Sequence, residues 1–89
     1  MGEKKDIFEI LAIAAGSKKV FKHLTFGVRN QLNDYAGGQT YPSSNRGSRE
    51  KAEKLGRMIL SDLEGVKEKN KPPRAMIAWL QDYFEETDT

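Results

Sequence analysis

The spacing of apolar residues along the chain predicts a helical protein. In the first segment, residues 4–15, apolar side chains fall on all sides of the helical wheel: Ile7, Phe8, Ile10, Leu11, Ile13 and three alanines. A helix that is apolar all round belongs at the centre of a core or in an interface. Gly16 follows as the predicted end of this helix.

A second helix is predicted over residues 17–36, with Ser17 as its N-cap and Gly37-Gly38 at its end. Its apolar face carries Val20, Phe21, Leu24, Val28, Leu32 and Tyr35. Residues 18–28 also alternate in the manner of a strand and are rich in strand-forming residues. We favour a helix because the helical period continues through Tyr35.

The remaining segments predict a loop and two further helices. Residues 37–47 have the Gly, Ser, Asn and Pro content of a loop, which is long for a domain of this size. A third helix is expected over residues 49–69 with Ser48 as N-cap, and Gly65 is a possible early end. After Pro72-Pro73, a fourth helix is expected over residues 73–86.

Together these elements predict an all-α fold: a compact four-helix domain, residues 1–89, with a long Gly/Ser-rich loop between helices 2 and 3. The acidic end of the chain, residues 85–89, is a candidate for disorder. Only 37% of the 89 residues are hydrophobic, which gives so small a domain a marginal core. Oligomerisation is a common remedy, so we expect a homodimer or a protein partner.

The residue inventory argues against an enzyme. The chain has no Cys and a single His, His23, and it contains no nucleophile elbow, phosphate loop or metal-binding motif. We expect no cofactor and no metal, and we expect His23 to be solvated. Because the sequence shows neither a signal peptide nor a membrane span, we expect a soluble, cytoplasmic protein with no membrane partner.

Charge is unevenly distributed along the chain. Residues 16–61 carry nine basic and three acidic side chains, a net charge of +6, whereas residues 62–89 carry four basic and seven acidic side chains, a net charge of -3. With -1 over residues 1–15, these segments add up to the total of +2. A basic middle segment favours polyanionic partners such as DNA or RNA.

Two groups of residues in this middle segment are candidate phosphate contacts. The outer face of the second helix has Lys19, Lys22, Phe26 and Arg29, with Asn30 and Asn33 beside them. Basic and amide side chains around an aromatic ring suit phosphate contact combined with base contact. The second group is Arg46 and Arg49 at the start of the third helix, where we expect both to be exposed and to favour an anion.

The fourth helix has two apolar stripes. Ile77, Leu80 and Phe84 form the stripe that we assign to the core, and Met76, Trp79 and Tyr83 form a second one. Exposed Met, Trp and Tyr are typical of interface centres, so the second stripe is a candidate partner interface.

Two functions therefore stay open. The first is a small non-enzymatic, nucleic-acid-binding regulatory protein that contacts phosphates through its basic middle segment. The alternative is a protein-interaction module, an inhibitor or adaptor, that binds a partner through the aromatic face of helix 4.

Overall fold

The computed structural model describes residues 4–36 and 46–87 of the chain. Over these residues it contains five α-helices and one 3-10 turn, and no strand. The all-helical prediction is confirmed, and residues 18–28 form no strand. The elements are α1 (Ile7–Ala15), α2 (Lys18–Phe21), α3 (Phe26–Ala36), α4 (Arg46–Glu64), the 3-10 turn (Glu68–Asn70) and α5 (Arg74–Thr87).

Helix α1 lies at the centre of the fold. It packs against α2, α3, α4 and α5, and its side chains Ile7, Ile10 and Leu11 are fully buried. Of the two predicted alternatives, a core helix or an interface helix, the structure shows the core helix. Its start is later than expected because Asp6 has an extended backbone and caps the helix, accepting a hydrogen bond from the Phe8 N–H at 3.4 Å.

The predicted second helix is in fact two helices. Residues 22–25 form a turn between α2 and α3, so the prediction of one continuous helix is wrong. Leu24 in this turn is buried together with Val20 and Val28, which lie four residues before and after it. The apolar period thus runs through the break and conceals it. Ser17 is confirmed as an N-cap, since its hydroxyl accepts from the Val20 N–H at 3.3 Å.

Hydrogen bonds from side chains hold the turn between α2 and α3. Arg29 Nε donates to the Phe21 carbonyl at 2.9 Å, and Arg29 Nη2 donates to the Lys22 carbonyl at 3.3 Å. These bonds tie the start of α3 to carbonyls at the end of α2, of which the Phe21 carbonyl also accepts from the Leu24 N–H at 3.0 Å. From α4, Asp62 Oδ2 accepts the Thr25 backbone N–H at 3.0 Å, just before α3 begins.

The bounds of the last two α-helices also differ from the prediction. Helix α4 begins at Arg46, so Ser48 lies within its first turn and is not its N-cap. It ends at Glu64, directly before Gly65, so the predicted extension to residue 69 is wrong. Residues 37–45 of the predicted loop lie outside the described residues. Helix α5 includes residues 85–87 of the acidic tail, and residues 88–89 again lie outside.

The buried apolar side chains of the described residues form one cluster to which all five α-helices contribute. Helix α4 contributes Ala52, Leu55, Ile59 and Leu63, and α5 contributes Met76, Leu80 and Phe84. No described helix combines the length and the hydropathy of a membrane span.

Gly56 allows α4 to approach α1 and α5 closely. It is a buried residue in the middle of α4. A Cβ atom at this position would lie 2.7 Å from Ile7 Cδ1 and 3.2 Å from Phe84 Cζ. Both distances are shorter than ordinary van der Waals contact between carbon atoms. A larger residue would therefore force the buried side chains of Ile7 and Phe84 to shift.

We expect Gly56→Ala to lower the free energy of unfolding. The overpacking cost of about 1–3 kcal/mol exceeds the gain of about 1 kcal/mol in helix propensity. Gly27→Ala is the matched control, since no atom lies within 4 Å of a Cβ there. Urea unfolding followed by circular dichroism should show the control unchanged or up to about 1 kcal/mol more stable. Equal stability of both variants would contradict the close packing at Gly56.

Candidate nucleic-acid interface

Helices α2 and α3 present a basic surface to solvent. Lys18, Lys19 and Lys22 are exposed, and Arg29 is half-buried. Residues 16–36 contain these four basic residues and one acidic residue, Asp34. We define the basic surface as these cations together with three exposed side chains of α3: Phe26, Asn30 and Asn33.

A pocket of about 560 Å³ lies within the basic surface, between the end of α1 and helices α2 and α3. Three of its eight lining residues are cationic and none is acidic. The lining residues are Ala15, Gly16, Ser17, Lys18, Phe21, Lys22, Arg29 and Asn33. A concave surface with charges of one sign concentrates the electrostatic potential, which attracts anions. We call it the basic pocket.

Phe26 is 76% exposed, and it is the one large hydrophobic residue among the described residues that is so exposed. A single exposed apolar side chain is common on protein surfaces, so exposure alone does not define a site. Phe26 matters because it begins α3, three residues before Arg29 and four residues before Asn30, so it shares a side of the helix with both. The predicted combination of an aromatic ring with basic and amide side chains is therefore present at the surface.

Of the predicted cations on this surface, Arg29 differs from the lysines. Its guanidinium is held by the Phe21 and Lys22 carbonyls and forms part of the pocket wall. It supplies a positive charge at a fixed position, while Lys19 and Lys22 extend into solvent. Lys18 was missed as a candidate, although its position four residues before Lys22 places it on the same side of a helix.

Arg49 is half-buried, which corrects the expectation that it is exposed. Its Nη1 atom lies 2.8 Å from Asp6 Oδ1 and donates to the Tyr83 hydroxyl at 3.2 Å. The guanidinium also lies over the ring of Phe8, 5.0 Å from its centroid. Arg49 thus joins α4 to α1 and α5. The side chain of Arg46 lies outside the described residues, so that part of the predicted site stays a prediction.

The ion pair between Asp6 and Arg49 shifts the pKa of both groups. The hydrogen bond and charge of Arg49 lower the pKa of the Asp6 carboxyl, partly against the effect of burial. The same hydrogen bond, which Arg49 donates and Asp6 accepts, raises the pKa of the Arg49 guanidinium. Arg49 therefore remains charged, and its charge is directed at Asp6.

The predicted aromatic interface on α5 is the prediction that differs most from the structure. Met76 is 3% exposed and belongs to the core. It occupies the core position predicted for Ile77, which is only partly buried. Trp79 and Tyr83 are half-buried and pack against the core. Lys5 Nζ lies 5.0 Å from the Trp79 ring centroid, and the Tyr83 hydroxyl donates to Glu53 Oε2 at 2.5 Å. Met76, Trp79 and Tyr83 do not form one exposed face.

His23, expected to be solvated, is half-buried in the turn between α2 and α3. Its Nε2 atom is buried and has no hydrogen-bond partner among the described residues. No group of three His, Cys, Asp or Glu side chains in the described ranges is placed to hold a metal ion.

The chain matches no protein-family model, and no curated protein or solved structure shows significant similarity to it.

We expect Asp6→Asn to lower stability at neutral pH and to matter less in acid. Asn retains an N-cap oxygen, so the substitution chiefly removes the charge that pairs with Arg49. Because folding lowers the pKa of Asp6 below its usual value near 3.8, its contribution is present above that pH and is lost as the pH falls through the folded pKa. For a pair this exposed, the loss at pH 7 should be about 1 kcal/mol or less.

Urea unfolding of both proteins at pH 7 and pH 3 measures this contribution. The difference in stability between wild type and Asp6→Asn should shrink at pH 3. Taking the difference at each pH cancels the titration of the other carboxylates. An equal difference at both pH values would show that the ion pair contributes nothing.

Proposed function

We propose that this protein is a small, non-enzymatic, regulatory nucleic-acid-binding protein that contacts phosphates through its basic surface. The observation that carries the proposal is the basic pocket, where Lys18, Lys22 and Arg29 line one concavity without an acidic residue. Phosphate oxygens are the natural partners of such a group of cations. Exposed Phe26 beside it offers an apolar contact for a base.

The exposed lysines of the basic surface predict that nucleic-acid affinity depends on salt concentration. Each lysine that neutralises a phosphate releases condensed counterions, so affinity falls as the salt concentration rises. The logarithm of the binding constant for duplex DNA changes with the logarithm of salt concentration by about -0.9 per neutralised phosphate. Lys19 and Lys22 are exposed and therefore available for such contacts.

The alternative function, an inhibitor or adaptor that binds a partner protein through α5, has less support. Of the three residues of the predicted interface, Met76 is buried in the core, and Tyr83 is hydrogen-bonded to Glu53 and Arg49. Trp79 is half-buried, and Lys5 lies over its ring. Self-association or a protein partner through the remaining surface of α5 stays a prediction.

We expect the double variant Lys19→Glu/Lys22→Glu to lose nucleic-acid binding while it keeps its fold. Both side chains are exposed, so the reversal adds repulsion from phosphates without disturbing the core. Arg29 is left in place because its hydrogen bonds hold the turn between α2 and α3. Fluorescence anisotropy with labelled DNA and RNA at several salt concentrations measures both affinity and salt slope.

The matched control is Lys67→Glu/Lys69→Glu, which changes the net charge by the same amount. These two exposed lysines lie in the connection between α4 and α5. The control should bind nearly as well as wild type, and the α2 variant should lose about two units of the salt slope. Equal losses in both variants would mean that only net charge matters. Absence of binding by the wild type at low salt would refute the proposal.

A further inference from the structure

The outward face of α3 differs in chemistry from the surface beside it. Phe26, Asn30 and Asn33 follow one another at spacings of four and three residues, so they share one side of the helix. All three are exposed, while Val28 and Leu32 on the opposite side are buried. None of the three is charged. The cations lie on α2, at Lys22 in the turn and, through Arg29, along the wall of the basic pocket, which Asn33 also lines.

The uncharged side chains of α3 and the cations beside them suit two different parts of a DNA duplex. Phosphates attract the cations, but an uncharged amide gains little from a phosphate compared with a lysine. At a base edge, amide and apolar side chains are the suitable groups. The Asn side chain can bond adenine N6 and N7 together, and an apolar side chain can contact the thymine methyl group. The exposed face of α3 therefore has the chemistry of base contact, flanked by the chemistry of backbone contact.

The dimensions and connection of the two helices fit the same arrangement. With eleven residues, α3 is about 16 Å long at 1.5 Å per residue, and the major groove, about 12 Å wide, admits an α-helix. Four residues, 22–25, join α2 to α3, which is the connection length of helix-turn-helix motifs. In such motifs the first helix lies across the backbone and the second enters the groove with its N-terminal residues at the bases.

The turn also keeps α3 in a fixed position relative to the lysines of α2. Arg29 on α3 is bonded to the Phe21 and Lys22 carbonyls, and Asp62 from α4 holds the Thr25 N–H. Phosphate contacts from α2 would therefore set the position of α3 along the duplex. In sequence-specific DNA-binding proteins, phosphate contacts position the protein and base contacts read the sequence.

We infer that α3 is a recognition helix for double-stranded DNA. In the complex, Phe26, Asn30 and Asn33 lie in the major groove at an A·T-containing site. The lysines of α2 contact the phosphates on either side of that site. The inference rests on the proposed nucleic-acid binding and adds the class of nucleic acid and the residues that read it. Asp34, exposed near the end of the same helix, adds a constraint: a carboxylate in the groove can accept hydrogen bonds only from the amino groups of cytosine and adenine.

The test is a selection of duplexes from a random library by the full-length protein, followed by affinity measurements at one fixed salt concentration. Each protein is measured on the selected duplex and on a shuffled duplex of equal composition. We expect wild type to prefer the selected, adenine-containing duplex. The Asn30→Ala/Asn33→Ala variant should lose that preference, by about fivefold or more for each adenine contact, and should bind the shuffled duplex as wild type does.

Two further variants separate base contact from backbone contact. Gln31→Ala removes an exposed amide from the same helix, one residue from Asn30 and about 100° around the axis, so it should keep the preference. Lys19→Glu/Lys22→Glu should weaken binding to both duplexes equally. Circular dichroism checks that each variant remains helical, and alanine at positions 30 and 33 favours helix more than asparagine does.

The outcomes distinguish this inference from the proposed function. Duplex binding without any sequence preference overturns the recognition helix but leaves phosphate binding intact. Tighter binding to single-stranded DNA or to RNA than to any duplex likewise overturns the inference and supports nucleic-acid binding of another kind. If the wild type retains neither DNA nor RNA at low salt, both proposals fall together.

Discussion

The fold depends on the burial of α1, a nine-residue helix that packs against each of the other four α-helices. Ile7, Ile10 and Leu11 are removed entirely from water, and their spacings of three and four residues place them on one face of the helix. This face of α1 is buried in the core. Gly56 makes one of these contacts possible, because α4 approaches Ile7 more closely than any side chain at that position would allow.

Packing around α1 also decides which residues remain for function. With α4 and α5 on one part of its surface, the core takes in Met76, Leu80 and Phe84, so the aromatic residues of α5 serve mainly to hold the fold. Near the end of α1, the chain turns through the short helix α2 into α3, and none of the other described residues covers the outward side of this pair. The basic pocket lies at this junction.

Arginine and lysine have different tasks in this protein. Arg29 bonds two backbone carbonyls, Arg49 pairs with Asp6, and Arg74 pairs with Glu68. The planar guanidinium forms several directed bonds at once, so it suits a fixed structural position. The flexible lysines of α2 are exposed and can follow an irregular anionic surface such as a phosphate backbone. A count of positive charges in the sequence does not separate these two groups.

The sequence by itself determined the helical class and the cap at Ser17, because these follow from local propensity and from the apolar period. It left open whether α1 lies in the core or at an interface. Only the tertiary structure decided the break at residues 22–25, since Leu24 keeps the period while the backbone turns. The same holds for the burial of Met76 and the pairing of Arg49 with Asp6, which joins residues far apart in the chain. Periodicity describes the faces of a helix, but contact with other helices determines which face is covered and which charge is neutralised.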